Sequence, residues 1–394
     1  MSQPEVVFLS GARTPIGSYG GSLKDVPPTA LGAHAAKAAI ARAGIAPEEV
    51  EHTVFGNVIH TEPRDMYISR VAAIEAGVPK EAPAMTVNRL CGSGLQAIVN
   101  AAQLIRLGDA AITLAGGAES MSRGGYLVPQ ARWGQRMGNV GMVDMMVGVL
   151  TDPFGNGHMG VTAENVSERY QVSREDQDAA AVESHRRAAA AVAAGHFAEQ
   201  IAPVEIASRK GPVVFDTDEH FRKDARIEDM AKLKAVFKKG GTVTAGNASG
   251  INDGAAAVVL ASGETAAARG LAPLARMVSY GLAGVDPSEM GMGPVPAVQT
   301  ALKKAGLSVA DIDVIESNEA FAAQACAVSK ALGFDPAKVN PNGGAIALGH
   351  PVGATGAILT VKTIYELRRT GGRYGLITMC IGGGQGIAMI IERL

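Results

Sequence analysis

The sequence predicts an α/β protein that contains two copies of one βαβ-rich unit, with a long insertion in the first copy. Short apolar strands alternate with helices, the order of elements recurs in the last third, and glycine-rich turns follow several strands. A chain of 394 residues is too long for one ordinary core, so we expect more than one domain. The alternation further predicts a buried, mostly parallel sheet covered by helices on both faces.

The elements of the two copies follow the same order. In the first copy, apolar runs predict strands at 6–10, 53–59, 84–87 and 111–115, and helical periodicity predicts helices at 29–43, 68–76 and 94–107. Gly44 and Gly108 are typical stops for two of these helices. The last third predicts strands at 276–280, 314–317, 338–340, 374–379 and 386–391, and helices at 297–305, 320–332 and 354–369.

The two copies differ where their final strands begin. In the second copy a glycine turn leads directly to the last strand, whereas in the first copy the strand at 111–115 meets its expected partner only at 255–260. An insertion is therefore predicted between them, and the chain divides into three parts. These parts are 1–121 together with 251–273, the insert 122–250, and 274–394.

The insert contains one long predicted helix, over residues 174–194. Ser173 and Asp176 resemble a capping box at its start, and Gly195 is a plausible stop. A long insertion at one edge of a sheet commonly supplies a binding surface.

Composition excludes several classes of protein. The formal net charge is −2, so no global basic field favours nucleic acid, although a local patch would suffice for a phosphorylated small molecule. Glu5 stands where a secretory signal would be basic and then apolar, and no stretch reaches the ~18 apolar residues of a membrane span. Three cysteines form neither a disulfide framework nor a zinc-finger spacing. We therefore expect a cytoplasmic protein with reduced thiols and no metal.

The strongest local motif runs from Asn88 to Gly94 and contains Cys91. A strand ends, small residues follow and a helix begins, which is typical of a nucleophile elbow with cysteine in place of serine. The N–H groups and partial positive charge at the helix start favour a thiolate over a thiol. The alternative is a structural cysteine buried at a tight turn.

The equivalent junction of the second copy contains His350, within the glycine-rich stretch 342–356. Pseudo-symmetry would bring His350 and Cys91 together, and imidazole is the natural base for a thiol. The alternative is a turn histidine before a proline.

Two further strand ends carry polar groups. Cys380 lies in a glycine turn and is either an acid–base group or a structural thiol, and this motif taken alone favours the structural thiol. Asn318 is suited to hold a water or an oxyanion, while Glu319 has the alternative of a simple charge at a helix start. Cys326 is expected in the core. All these junctions lie where an α/β sheet opens its ligand crevice.

Taken together, these motifs resemble the thiolase family over essentially the full length of the chain. The resemblance rests on residues 88–94, 116–122, 318–324, 343–356 and 380–386. Within the family the chain is most similar to bacterial acetyl-CoA acetyltransferases, the β-ketothiolases of polyhydroxyalkanoate synthesis, on stretches such as 61–67. The resemblance implies two thiolase halves in α/β/α/β/α layers, an inserted loop domain, and a homotetramer formed as a dimer of dimers.

The resemblance also implies roles for the catalytic residues. Cys91 matches the acylated nucleophile and His350 its base, while Cys380 matches the group that protonates departing CoA and removes an α-proton from the second acyl-CoA. Asn318 matches the residue that holds a water, which forms one oxyanion hole with His350. The N–H groups of Cys91 and Gly382 match the other. The substrates are acetyl-CoA and short acyl-CoAs, and no metal or bound cofactor is implied.

The insert resembles a CoA-binding loop domain. Residues expected near CoA or the acyl group come from the insert and from the surrounding core: Leu90, His158, Met159, Arg222, Phe237, Ala245, Ser249, Met290 and Phe321. From the sequence alone, a solvated charge is the preferred interpretation of Arg222, and the alternative for Met159 and Met290 is ordinary core packing.

Three alternatives remain open. A degradative 3-ketoacyl-CoA thiolase has the same motifs, and the reversible chemistry does not separate the two. A decarboxylating acyl-carrier-protein synthase shares the broad fold, but Cys380 argues against it. A catalytically inactive acyl-CoA-binding protein is disfavoured by the intact set of Cys91, His350 and Cys380.

Overall fold

A computed structural model of the chain describes residues 4–209 and 211–394. Residues 1–3, part of the segment on which the expectation of no secretory signal rests, lie outside the described residues. Among the helices that are described, none combines the length and the apolar character needed to cross a bilayer.

The first 120 residues alternate strands and helices as the sequence predicts. Gly44 and Gly108 end two of the helices in the left-handed region, with φ of +67° and +81°. The elements are β1 (Val6–Arg13), β2 (Gly17–Ser18), α1 (Pro28–Ala43), β3 (His52–Gly56), α2 (Ile68–Glu75), β4 (Ala84–Val87), α3 (Ser93–Leu107) and β5 (Ile112–Ser120).

The segment between β5 and the next long strand is made of short strands and four helices. Its elements are β6 (Tyr126–Leu127), β7 (Val143–Asp144), α4 (Met145–Val149), β8 (Thr151–Asp152), β9 (Gly157–His158), α5 (Met159–Tyr170), α6 (Arg174–Ala193), β10 (Val204–Ile206), β11 (Val213–Phe215) and α7 (Ile227–Met230). Helix α6 is the long helix predicted for the insert. Ser173 and Asp176 form its capping box, with the Ser173 hydroxyl accepting from the Asp176 N–H at 3.1 Å.

The remaining elements repeat the first set. They are β12 (Asn252–Ser262), α8 (Gly263–Ala268), β13 (Ala275–Gly284), α9 (Pro294–Ala305), β14 (Val314–Ser317), α10 (Ala322–Leu332), α11 (Ala345–Leu348), α12 (Thr355–Thr370), β15 (Tyr374–Ile381) and β16 (Gln385–Arg393). The strand predicted at 338–340 is absent, because only Val339 pairs, in a single bridge with Ile315. Asn340 follows at a φ of +44° and turns the chain away from the sheet.

The large sheet has the order β14-β15-β16-β13-β1-β12-β5-β3-β4, with β2 paired to β12. The two halves of this order meet at β1 and β13, which share only a short antiparallel contact. Parallel pairing is confined to β3 with its two neighbours and to β14 with β15. The expectation of a mostly parallel sheet was therefore wrong. In the second copy β15 turns directly into β16, and such a connection makes an antiparallel pair. In the first copy β12 returns after the insert and also pairs antiparallel with β5.

Helices α3 and α12 cross at the centre of the molecule, where glycines allow backbone contact. A methyl group at Gly94 would lie 2.9 Å from the Ala357 nitrogen, and one at Gly356 would lie 2.3 Å from the Leu95 nitrogen. Since real side chains never approach so closely, both positions require glycine. This crossing brings the start of α3 in the first copy against the start of α12 in the second.

Candidate active site

Cys91 lies in a sharp turn between β4 and α3. Leu90 adopts a φ of +47°, which is uncommon for a residue with a side chain. The turn is closed by its own groups: the Leu90 N–H donates to Asn88 Oδ1 at 3.0 Å, and Ser93 Oγ donates to the Leu90 carbonyl at 2.6 Å. The motif therefore forms a compact turn that presents a half-buried thiol at the N-terminal end of α3.

The electrostatic surroundings of Cys91 differ from those the sequence suggested. Burial raises the pKa of the thiol, while N–H groups of Gly382 and of Cys91 itself donate to the sulfur and lower it. The charge of Glu119 raises the pKa further, and the net pKa is above the ordinary value. The expected stabilisation of a thiolate by the helix start is thus outweighed by burial, and Cys91 rests as a thiol.

His350 is buried, and its hydrogen bonds define the tautomer. Thr355 Oγ1 donates its one hydrogen to the Pro351 carbonyl at 2.9 Å. The hydrogen bond of 2.6 Å between His350 Nδ1 and Thr355 Oγ1 therefore has the imidazole N–H as its donor. Nε2 therefore carries the lone pair, and it lies 3.4 Å from Asn318 Nδ2. Burial lowers the pKa of His350 to about 4, which keeps the ring neutral near pH 7.

Asn318 and Glu319 follow β14 and have separate environments. Asn318 is fully buried, and among the described residues its Oδ1 has no hydrogen-bond partner. Glu319 is not a solvated helix charge. Its carboxylate accepts from Asn340 Nδ2 at 2.8 Å, from Ser184 Oγ at 2.7 Å and from the Ile346 N–H at 3.2 Å.

Cys380 is fully buried at the end of β15. Burial raises the pKa of its thiol well above the usual range, and the neighbouring Cys91 sulfur raises it further. A methyl group at Gly92, next to Cys91, would lie 2.5 Å from the side chain of Ile381, next to Cys380, so the two thiols are neighbours in one apolar pocket. Cys380 packs there in an apolar cluster with Met159, Met290 and Phe321.

The walls of this pocket come from both halves and from the segment between them. A methyl group at Gly382 would lie 2.8 Å from the Met159 side chain and 3.9 Å from that of Leu90. Leu90 and Met159 therefore lie close to Gly382 on the side where a side chain would project. Phe237 lies at the rim of the cluster.

An aromatic wall leads outward from the pocket. The rings of His158 and Phe237 stack with centroids 4.7 Å apart, and Phe237 meets Phe321 edge-on at 6.1 Å. A methyl group at Gly160 would lie 2.2 Å from the Phe237 ring, so this packing requires glycine. Ser249 lies beside the wall, where its N–H donates to the Ala320 carbonyl at 3.0 Å.

A polar cleft of about 360 Å3 continues beyond this wall. Arg222 and Ala245 line it, together with residues that the sequence reasoning missed: His185, His220 and Arg226. Arg222 is exposed, and its N–H donates to His185 Nδ1 at 3.1 Å. The two arginines make this cleft suitable for phosphate groups.

Two residues that anchor the loop around His350 were also missed. Asn252 Oδ1 accepts from the His350 N–H at 3.0 Å, and Glu119 accepts from the Gly353 N–H at 2.9 Å. Glu119 lies in the motif 116–122, so the sequence could have marked it as a candidate site residue. No motif near Asn252 marks that residue. Within 4–209 and 211–394, no three histidine, cysteine or carboxylate side chains are grouped as metal ligands would be.

Comparison with known proteins identifies the family. The thiolase N-terminal domain matches residues 6–264, and the thiolase C-terminal domain matches residues 271–393. The chain is 66% identical to beta-ketothiolase BktB of Cupriavidus necator over 391 residues, covering 99% of each chain. It is 51% identical to an acetyl-CoA acetyltransferase of Syntrophomonas wolfei over 395 residues, again covering 99% of each.

Solved structures agree with this result and with the layered fold predicted from the motifs. Human mitochondrial 3-ketoacyl-CoA thiolase is 47% identical, with a TM-score of 0.97 and 99% of each chain covered. The acetyl-CoA acetyltransferase of Bacillus anthracis is 46% identical, with a TM-score of 0.98 and 100% of each chain covered. The duplicated α/β fold is thereby confirmed, and the chain belongs to the thiolase family.

Proposed function

We propose that this chain is an acetyl-CoA acetyltransferase of the β-ketothiolase type. It condenses two acetyl-CoA to acetoacetyl-CoA and CoA, catalyses the reverse thiolysis, and accepts other short 3-ketoacyl-CoAs. The names of the relatives at 66% and 51% identity support this activity. The observation that carries it is that two thiols are neighbours: the Cys91 turn packs against Ile381, which follows Cys380, and the N–H groups of Cys91 and Gly382 reach the Cys91 sulfur.

The first half-reaction transfers an acetyl group to Cys91. His350 Nε2 takes the thiol proton as the sulfur attacks the thioester carbonyl. The bond to the CoA sulfur then breaks, and the leaving thiolate takes a proton from Cys380. The N–H groups of Cys91 and Gly382 stabilise the oxyanion, because both already point at the sulfur to which the new carbon is bound.

The second half-reaction forms the carbon–carbon bond. The Cys380 thiolate removes an α-proton from the second acetyl-CoA, and its raised pKa makes it a strong base for this weak acid. The enolate attacks the acetyl carbonyl, the bond to Cys91 breaks, and the Cys91 thiolate takes the proton back from His350. After the α-proton is removed and before the enolate attacks, the protonated Nε2 of His350 donates a hydrogen bond to the enolate oxygen. A water held by Asn318 Oδ1 donates a second hydrogen bond to the same oxygen.

The insert is proposed to bind CoA. The stacked pair of His158 and Phe237 forms a narrow aromatic wall suited to pantetheine, and the cleft at Arg222 is suited to the nucleotide. Ala245 and Ser249 lie along the path between them. In this proposal residues 122–250 form the loop domain, and the flanking parts form the two thiolase halves. The reaction needs no metal or redox cofactor, since His350 or Cys380 donates or accepts the proton in every proton transfer.

Assembly is proposed as a homotetramer, a dimer of dimers. The segment 126–154 exposes many large apolar side chains, and Trp133 and Met137 are each 89% exposed. A patch of this kind marks a protein–protein contact. We further propose a cytoplasmic enzyme that supplies acetoacetyl-CoA for polyhydroxyalkanoate synthesis.

Covalent trapping tests the proposed activity. The protein is mixed with acetyl-CoA, quenched in acid and digested, and the peptides are analysed by mass spectrometry. The added acetyl mass is expected on the peptide that contains Cys91 and is absent in Cys91→Ala. Acetylation of Cys380 or Cys326 instead, or no acetylation, would contradict the proposal.

A further inference from the structure

We propose that Ser184, on helix α6 of the insert, is a positioning residue for His350. This role rests on the proposed function, because it assumes that His350 is the base that activates Cys91. The geometry points to a rigid link from α6, through Glu319, to the chain segment that ends at His350.

The link begins at the Ser184 hydroxyl, which is buried and uses both its donor and its acceptor. Oγ donates to Glu319 Oε2 at 2.7 Å and accepts from the Gly344 N–H at 3.0 Å. A hydroxyl has only one hydrogen, so these two bonds define its orientation. Ser184 therefore joins the Glu319 carboxylate to the Gly344 N–H and adds a second anchor to the loop that Glu319 contacts directly.

Glu319 completes the link to the loop. It accepts from the Ile346 N–H at 3.2 Å, and a methyl group at Gly344 would lie 2.1 Å from its carboxyl carbon. The loop is thus pressed against the carboxylate at the start of α11. Only Gly349 separates the end of α11 from His350, so a shift of α11 moves the imidazole.

The same helix also reaches the cleft proposed for CoA. His185, next to Ser184, accepts from the Arg222 N–H at 3.1 Å. Burial lowers the pKa of His185 to about 4, so the imidazole is a neutral acceptor near pH 7. One turn of α6 therefore contacts both the cleft and the catalytic loop, and we infer that the insert aligns the base as well as binding substrate.

Kinetics of Ser184→Ala test the proposal. We expect kcat for thiolysis to fall about tenfold or more, because small displacements of a catalytic group carry large rate penalties. The single-turnover rate of Cys91 acetylation should fall by the same factor. KM for the acyl-CoA should change less than about twofold, since the loss affects the transition state more than binding.

Ser10→Ala is the matched control. Ser10 is also a buried serine, and its hydroxyl donates to the Ala39 carbonyl at 2.6 Å, which joins β1 to α1. The kcat of Ser10→Ala should equal that of the wild type even if the melting temperature of the variant is lower. Ser184→Cys keeps the shape with a weaker donor, so its kcat should lie between those of the wild type and Ser184→Ala.

Several results would overturn the proposal. Unchanged kcat in Ser184→Ala, with or without a lower melting temperature, would leave Ser184 a purely structural role. A rise in KM alone would make it a binding residue. If Ser184→Ala does not fold, the kcat and KM of Ser184→Cys test the proposal in the same way. A wild type that is never acetylated on Cys91 would instead refute the proposed function.

Discussion

The turn that carries Cys91 and the loop that carries His350 occupy equivalent places in the two copies, yet they are held in different ways. The bonds that shape the Cys91 turn join residues no more than four positions apart, within 88–94. The turn therefore carries most of its geometry in its own seven residues.

The His350 loop is anchored from outside. On the N-terminal side of His350, Glu319 accepts from the Ile346 N–H. On the C-terminal side, Glu119 accepts from the Gly353 N–H, a hydrogen bond that spans 234 residues of sequence. Lys362 donates to the Gly343 carbonyl at 2.8 Å and pairs with Glu316 at 2.7 Å, both side chains being buried. The loop thus depends on a buried ion pair and on buried carboxyl groups contributed by several elements.

This difference predicts where each site is vulnerable. A change at a buried charge should affect the whole second half, because an unpaired ion in the core is costly. A change in the glycine contact between α3 and α12 should affect both sites at once. Changes in the pocket wall should affect only substrate choice.

The largest effect is expected for Lys362→Met. Removing the lysine leaves Glu316 buried without its partner, and losing one member of such a pair costs about 3–5 kcal/mol in the free energy of unfolding. Chemical denaturation measures this loss. Lys303→Met, at an exposed lysine of α9, is the control and should change stability by less than about 0.5 kcal/mol.

A double variant sharpens the same prediction. Replacing both members by apolar groups, as in Glu316→Leu with Lys362→Met, should recover much of the lost stability, because no unpaired charge remains. The bond to the Gly343 carbonyl is still lost, so turnover should stay below the wild type. A double variant as unstable as the single one would show that the ion pair is not the cause.

The contrast also explains what the sequence was able to predict. The Cys91 turn was predictable because its glycines, serine and asparagine lie together in one motif. Asn252 was not, because it reaches His350 across 98 residues and nothing near it marks the contact. The direction of β12 and β16 and the raised pKa of Cys91 have the same origin, since each depends on groups from distant parts of the chain.

A smaller loss is expected for Gly356→Ala, at the helix crossing. The added methyl group would meet the backbone of Leu95, which cannot rotate away, and overpacking of this kind costs about 1–3 kcal/mol. Thermal unfolding and turnover should both suffer, since Cys91 and His350 would move apart. Gly284→Ala, at the exposed end of β13 where the nearest atom would lie 3.9 Å from the added methyl group, should change stability by less than about 0.5 kcal/mol. Equal behaviour of the two variants would refute the close contact.

The charge state of Cys91 gives a third test, read from the pH dependence of alkylation by iodoacetamide. Its pKa is raised, so the thiolate fraction, and with it the alkylation rate, should still be rising above pH ~8.5, the ordinary thiol value. A plateau between about pH 5 and 7 would instead indicate a thiolate–imidazolium pair. Peptide-resolved mass spectrometry separates Cys91 from Cys326, whose pKa burial raises to about 11.

The smallest effect concerns acyl length, which is determined by the wall that both halves and the insert share. Met159 and Met290 are bulky but flexible, and with Leu90 and Phe321 they surround the thiols. One added methylene gains about 0.8 kcal/mol if it is buried without strain.

Overpacking of the same wall costs about 1–3 kcal/mol, so the gain should reverse within one or two carbons. We therefore expect thiolysis of four- and five-carbon 3-ketoacyl-CoAs to be fastest, with a steep fall towards the ten-carbon substrate. The specificity constants of the four-, five-, six- and ten-carbon substrates measure this cutoff. Met290→Ala should shift the optimum to longer chains without changing Cys91 acetylation by acetyl-CoA. If the wild type has its highest specificity constant with the ten-carbon substrate, the degradative thiolase is favoured. In that case the side chains around the thiols would admit long acyl chains and would not select short ones.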